Sequence, residues 1–139
     1  MLSLAVLSAC SKPPTAPEQT LAVRPEVRLL QIPAADPEKY HNLRDYKEWK
    51  NPYLVISKDG IALLDVANNE QRIVKPEDLP EILANLPANA WPYGRVVAVG
   101  ISGVLGSRDD AALIRRNRGI VLGTLESLHV LVPPIPPPG

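Results

Sequence analysis

The chain has 139 residues, with 15 basic and 15 acidic side chains that balance to zero formal charge. That length accommodates one domain, and the charge balance gives no support for a nucleic-acid binder, which is usually strongly basic. A single cysteine excludes an intramolecular disulfide, two separated histidines disfavour a metal site, and no apolar run reaches the ~18 residues of a spanning helix.

Residues 1–9 form a short apolar run through Leu7 that ends in the small side chains of Ser8 and Ala9, directly before Cys10. Residues 11–20 then turn abruptly to proline and polar groups. An apolar stretch closed by small residues is the end of a secretory signal. The string Leu7-Ser8-Ala9-Cys10 resembles a bacterial lipobox. The resemblance implies cleavage before Cys10, a diacylglycerol thioether on its thiol and acylation of its new amine. Several acyl chains at ~0.8 kcal/mol per buried CH₂ anchor firmly where one chain alone does not. No Lys or Arg precedes the apolar run, so the segment is short or truncated for a signal. The competing reading is a frayed apolar end with a buried free thiol. Ser11 follows the cysteine where an Asp tends to retain such lipoproteins in the inner membrane, which implies the outer membrane in a Gram-negative cell.

Residues 10–36 read as a lipid anchor and proline-rich tether, with residues 21–32 apolar enough to add an edge strand that tolerates Pro25. A single domain is expected over residues 37–132, followed by a proline-rich tail at 133–139. Asp36-Pro37-Glu38 suggests an N-cap and a helix over residues 37–50, stopped by Pro52. Apolar runs at residues 53–57 and 61–66 flank Lys58-Asp59-Gly60, a strong hairpin signal. A third strand is expected at 71–74. Residues 76–86 predict a helix burying Leu79, Ile82, Leu83 and Leu86. Residues 95–101 read as a buried central strand. Residues 107–128 read as a helix opened by a capping start, with Gly119 and Gly123 allowing close packing on the sheet. Residues 129–132 complete the pattern as a strand. The expected fold is α+β: a small mixed β-sheet with helices packed on one face.

No constellation of catalytic residues emerges, and no cofactor is expected. Gly100, Gly103 and Gly106 follow a strand, but their spacing matches neither a dinucleotide fingerprint nor a P-loop. Ser102 lacks the G-x-S-x-G setting of a hydrolase nucleophile. His41 reads as a solvated helix residue and His129 as a helix-end partner. Asp59 and Asp65 belong to the hairpin, unpaired as acid and base. Arg108, Arg115, Arg116 and Arg118 form a basic stripe, either a solvated helix face or a contact for anionic headgroups or polymers. The aromatics are unusual, with no Phe, 4 Tyr and 2 Trp. Parallel, adjacent strands at 53–57 and 95–101 would gather them at one end of the sheet. Tyr46, Trp49, Tyr53, Trp91 and Tyr93 would then either plug the core or form a platform for a protein or glycan.

The order hairpin, helix, strand, helix, strand over residues 53–132 resembles the periplasmic domain of the ExbD/TolR family. The matching pieces are Lys58-Asp59-Gly60, Pro76-Glu77-Asp78-Leu79 and residues 95–132. The string Pro92-Tyr93-Gly94-Arg95-Val96-Val97 is also similar to a family string, though helical there and strand-like here. The family's membrane helix with its functional Asp is absent, so the resemblance implies envelope location and a scaffold role, not proton conduction. The expected protein is a non-enzymatic envelope lipoprotein, membrane-anchored and facing the periplasm, that binds another envelope protein or peptidoglycan. An enzyme acting on an envelope polymer and a structural spacer are the alternatives.

Overall fold

A computed structural model of the chain describes residues 24–44, 46–102 and 107–134. Asp-Gly chemistry closes the expected hairpin. Strand β1 (Tyr53–Ser57) pairs antiparallel with β2 (Gly60–Asp65), Ser57 opposite Gly60, with Lys58 and Asp59 at the tip. Asp65 accepts from the Asn68 backbone N–H and turns the chain into β3 (Glu70–Val74), with Asn69 in the left-handed region that asparagine tolerates. Strand β4 (Ala98–Ile101) lies parallel to β1 on its other side, giving the order β3-β2-β1-β4.

Alternation along β1 and β2 sends Leu54, Ile56, Ile61 and Leu63 to one face, where they are fully or almost fully buried. Three helices cover that face. Helix α1 (Pro25–Leu29) contributes Leu29, α2 (Leu79–Ala84) contributes Leu79 and Leu83, and α3 (Arg108–Ser127) contributes Ile114, Val121 and Leu125. Each such side chain withdrawn from water contributes about 1.5–3 kcal/mol. The molecule is therefore a small mixed sheet with helices packed against it, the α+β class expected. Helix α3 starts on the expected capping box: Ser107 Oγ accepts from Asp110 N–H, and the Asp110 carboxylate accepts from Ser107 N–H.

Six expectations are corrected. Residues 37–50 do not form one helix. Asp36 does cap a start, but among the described residues only 3-10 turns form, at Pro37–Lys39 and Tyr46–Glu48. The reason is angular. Nine residues apart on a helix, Tyr40 and Trp49 would face opposite sides, whereas their rings pack with centroids 5.6 Å apart. Residues 21–32 supply no edge strand among the described residues. Pro25 opens α1 instead, where its missing N–H costs nothing. Arg28 then donates to both Glu81 carboxylate oxygens at 2.6 and 2.8 Å and to Asn85 Oδ1 at 2.6 Å. The folded body thus begins by Arg24, not at residue 37.

The expected central strand at 95–101 is an outer one, and only its second half pairs with β1. Its first half pairs on the far edge, where Val96 bridges Leu131 in parallel. That bridge is all that forms of the expected strand at 129–132. His129 takes a left-handed φ of 60°, and Pro133 and Pro134 have no N–H to extend a ladder. Gly119 and Gly123 do not pack on the sheet. A Cβ at either would meet nothing within 4 Å.

Candidate functional site

Two chain segments meet beyond the Val96–Leu131 bridge and leave a groove of about 470 Å³ between them. One wall is Pro37, Tyr40, His41 and Leu43, and the other is Leu131, Val132, Pro133 and Pro134. The first wall is built by the failed helix. After the turn at Pro37–Lys39, His41 N–H and His41 Nδ1–H both donate to the Pro37 carbonyl, at 2.8 and 3.0 Å. That bond occupies Nδ1 and leaves Nε2 as the other polar atom of the ring. The second wall is built by prolines that end the sheet.

The groove rests on a rigid base. Tyr40, Trp49 and Tyr93 pack in a triangle with centroids 5.0–5.7 Å apart, the edge-on and tilted spacing that aromatic quadrupoles favour. The Trp49 indole N–H donates to the Pro52 carbonyl at 3.0 Å, and the Tyr93 hydroxyl donates to the Glu48 carbonyl at 3.2 Å. Burial, with a smaller push from the Asp36 carboxylate, raises the Tyr40 phenol above its ordinary value. Burial also raises Tyr93, opposed by the Lys50 backbone hydrogen bond and reinforced by Glu48.

Asn51 locks this cluster to the sheet. It is fully buried and makes three hydrogen bonds. Its Nδ2 donates to the Gly94 and Val96 carbonyls at 2.8 and 2.7 Å, and its Oδ1 accepts from Tyr93 N–H at 2.7 Å. Gly94 is required here. Its φ is +86°, and a Cβ would strike the Ala34 carbonyl group. Arg95 completes the frame, donating from Nε to the Ile32 carbonyl and from a terminal nitrogen to the His129 carbonyl, both at 2.9 Å.

Of the two readings the sequence leaves open for the aromatics, burial favours the core plug over the platform. Strands β1 and β4 are parallel and adjacent, as the gathering requires. Trp49 and Tyr93 do come together, with Tyr53 packed against them, but Trp49 is only 2% exposed and Tyr93 6%. Trp91 is buried in the main core instead. These rings support a surface rather than forming one, and among the described aromatic rings Tyr40 alone lines the groove. Tyr46 lies in a 3-10 turn, and its side chain is outside the described residues.

Arg108, Arg115, Arg116 and Arg118 are all exposed on α3. They do not form one stripe, because Arg116 and Arg118 point about 160° apart around the helix. Ser102 is exposed at the end of β4 and lines a shallow depression on the uncovered sheet face, with Val55, Ser57, Ala62, Leu64 and Gln71. Asp59 sits at the hairpin tip, where its backbone N–H donates to Ser57 Oγ. Asp65 caps the following turn through Asn68. Cys10, Gly103, Gly106 and residues 135–139 lie outside the described residues. Among the described residues no group of three or more His, Cys, Asp or Glu side chains could hold a metal.

Compared with known proteins, the chain matches no family model, no curated protein and no solved structure.

Proposed function

We propose that the protein is a lipid-anchored component of a bacterial cell envelope whose folded body acts by binding an apolar peptide segment of another envelope protein. The anchoring half of this reading is supported by Leu7-Ser8-Ala9-Cys10 and the proline-rich residues behind it. The binding half is carried by the groove at Tyr40. Its walls are aliphatic, proline and tyrosine side chains, and its side-chain polar groups are the Tyr40 hydroxyl and His41 Nε2. A glycan presents hydroxyls on every edge and favours carboxylate and amide partners around an aromatic face. A peptide with apolar or proline side chains matches this lining better, and an aromatic–proline groove suits an extended chain. The aromatic triangle holds Tyr40 in place before any ligand arrives, which lowers the ordering cost of binding.

The test is photo-crosslinking in cells, with a photoreactive residue placed at Leu43 and, as a control, at Ile73 on the opposite sheet edge. Ile73 is 72% exposed and far from the groove in the strand order. The expected result is one discrete protein adduct from position 43 only. Leu131→Asp, at a half-exposed groove position, abolishes that adduct without unfolding the domain. Cys10→Ala abolishes it by removing the chain from its membrane. Equal adducts from position 73, or an adduct that survives Leu131→Asp, would refute the groove as the binding site.

A further inference from the structure

Helix α3 carries a face that the fold itself does not use. Ile114, Val121 and Leu125 point at the sheet. On the far side, Ala112, Arg116, Gly119, Gly123 and Glu126 lie within about 40° of one line along the helix, and all five are exposed. Ile120 and Leu113 lie along one side of that line and are 39% and 44% exposed. Arg115, Arg116 and Glu126 make no ion pair with any described residue. Glycine is the poorest helix former after proline, yet two of them sit mid-helix with open space outside them.

The charge order along this face is self-complementary. Basic side chains lie one and a half turns or so before the line's midpoint, the acidic one lies as far after it, and the small residues lie between. Two such helices placed antiparallel about Val121 bring Gly119 of one level with Gly123 of the other. Glu126 of each then falls level with Arg115 and Arg116 of its partner, and Ile120 meets its own copy beside the twofold axis. A parallel pairing would set arginine against arginine. We propose that α3 pairs with α3 of a second copy of this chain in this antiparallel register, the glycines allowing an approach closer than the usual 8–10 Å between helix axes. The contact is isologous, as a closed homodimer requires. It uses none of the groove residues and stands whether or not the groove reading holds.

The test uses the full chain with Cys10→Ser, so that neither lipid nor the native thiol interferes. Ile120→Cys, treated with a short bismaleimide, is expected to give a covalent dimer. Leu113→Cys is expected to give none, because the two copies of that position would be roughly 24 Å apart along the axis. Adding Gly119→Leu and Gly123→Leu to Ile120→Cys should abolish the dimer while circular dichroism shows an unchanged or more stable fold, since leucine is the better helix former. Arg115→Glu/Arg116→Glu should lower the crosslinked fraction at least about tenfold, and adding Glu126→Arg should restore it. No dimer from Ile120→Cys, equal dimers from both cysteine positions, indifference to the leucines, or no rescue by the charge exchange would each overturn the proposal.

Discussion

Removal of the Asn51 side chain is the sharpest perturbation the fold offers. Asn51→Ala strips three buried hydrogen bonds at once. Tyr93 N–H is orphaned outright, at a cost of about 1–3 kcal/mol for a buried donor without a partner. The Gly94 carbonyl keeps a second partner, Val96 N–H at 2.8 Å, so its loss is the smaller, net value of one hydrogen bond, about 0.5–1.5 kcal/mol. The Val96 carbonyl adds a similar amount. The sum is about 2–6 kcal/mol, a large part of the 5–15 kcal/mol typical of a domain. Asn51→Asp is predicted to be worse at neutral pH, because it aims a buried carboxylate at two carbonyl oxygens. It should recover in part on acidification, since burial favours the protonated acid in the folded state and that acid can donate to one carbonyl. The assay is urea unfolding followed by fluorescence of the buried Trp49 and Trp91. A shift in midpoint with unchanged slope is expected for Asn51→Ala. A loss below about 1 kcal/mol, or an Asn51→Asp variant indifferent to pH, would refute the role assigned to this side chain.

Three further outcomes are expected. Leu29→Ala should destabilise the domain by about 2–5 kcal/mol in the same urea assay, because Leu29 is fully buried in the core; no change would return residues 24–36 to the tether. Gly94→Ala should cost at least about 1–3 kcal/mol from its positive φ alone, and more from the collision with Ala34. Tyr40 and Tyr93 should ionise above the ordinary phenol value of 10 in an ultraviolet titration. Because their folded-state values are raised, their contribution to stability is whole below pH 10 and is lost as pH rises through the folded-state values; tyrosines that titrate together at the ordinary value would contradict the packing.

Local signals carried far in this chain. Lys58-Asp59-Gly60 between apolar runs names a hairpin because few other turns suit those residues. Ser107 and Asp110 name a helix start because their side chains answer the first free N–H groups. Elements whose shape depends on distant partners were not legible in this way. Asp36-Pro37-Glu38 reads as a helix start and is one, but Tyr40 and Trp49 must meet over Tyr93, and that requirement breaks the helix. Pro25 fits an edge strand or a first helical turn equally well until Arg28 finds Glu81. The aromatic run was visible as a cluster. Its depth was not, since rings at residues 40–53 and 91–93 can cap a core or cover it. Asn51 carries no signal beyond preceding a proline, and the groove arises where two segments 90 residues apart happen to pass. The four-residue spacing of Gly119 and Gly123 is visible in the sequence, but the side of the helix they occupy is not, and they face away from the sheet.

Intact mass of the protein extracted from membranes, beside a Cys10→Ala variant, tests the envelope assignment most directly. The account predicts a wild-type chain that begins at Cys10 and carries diacylglycerol and a further acyl group, with the variant free of lipid. A wild-type chain that retains Met1 and an unmodified Cys10 would contradict it.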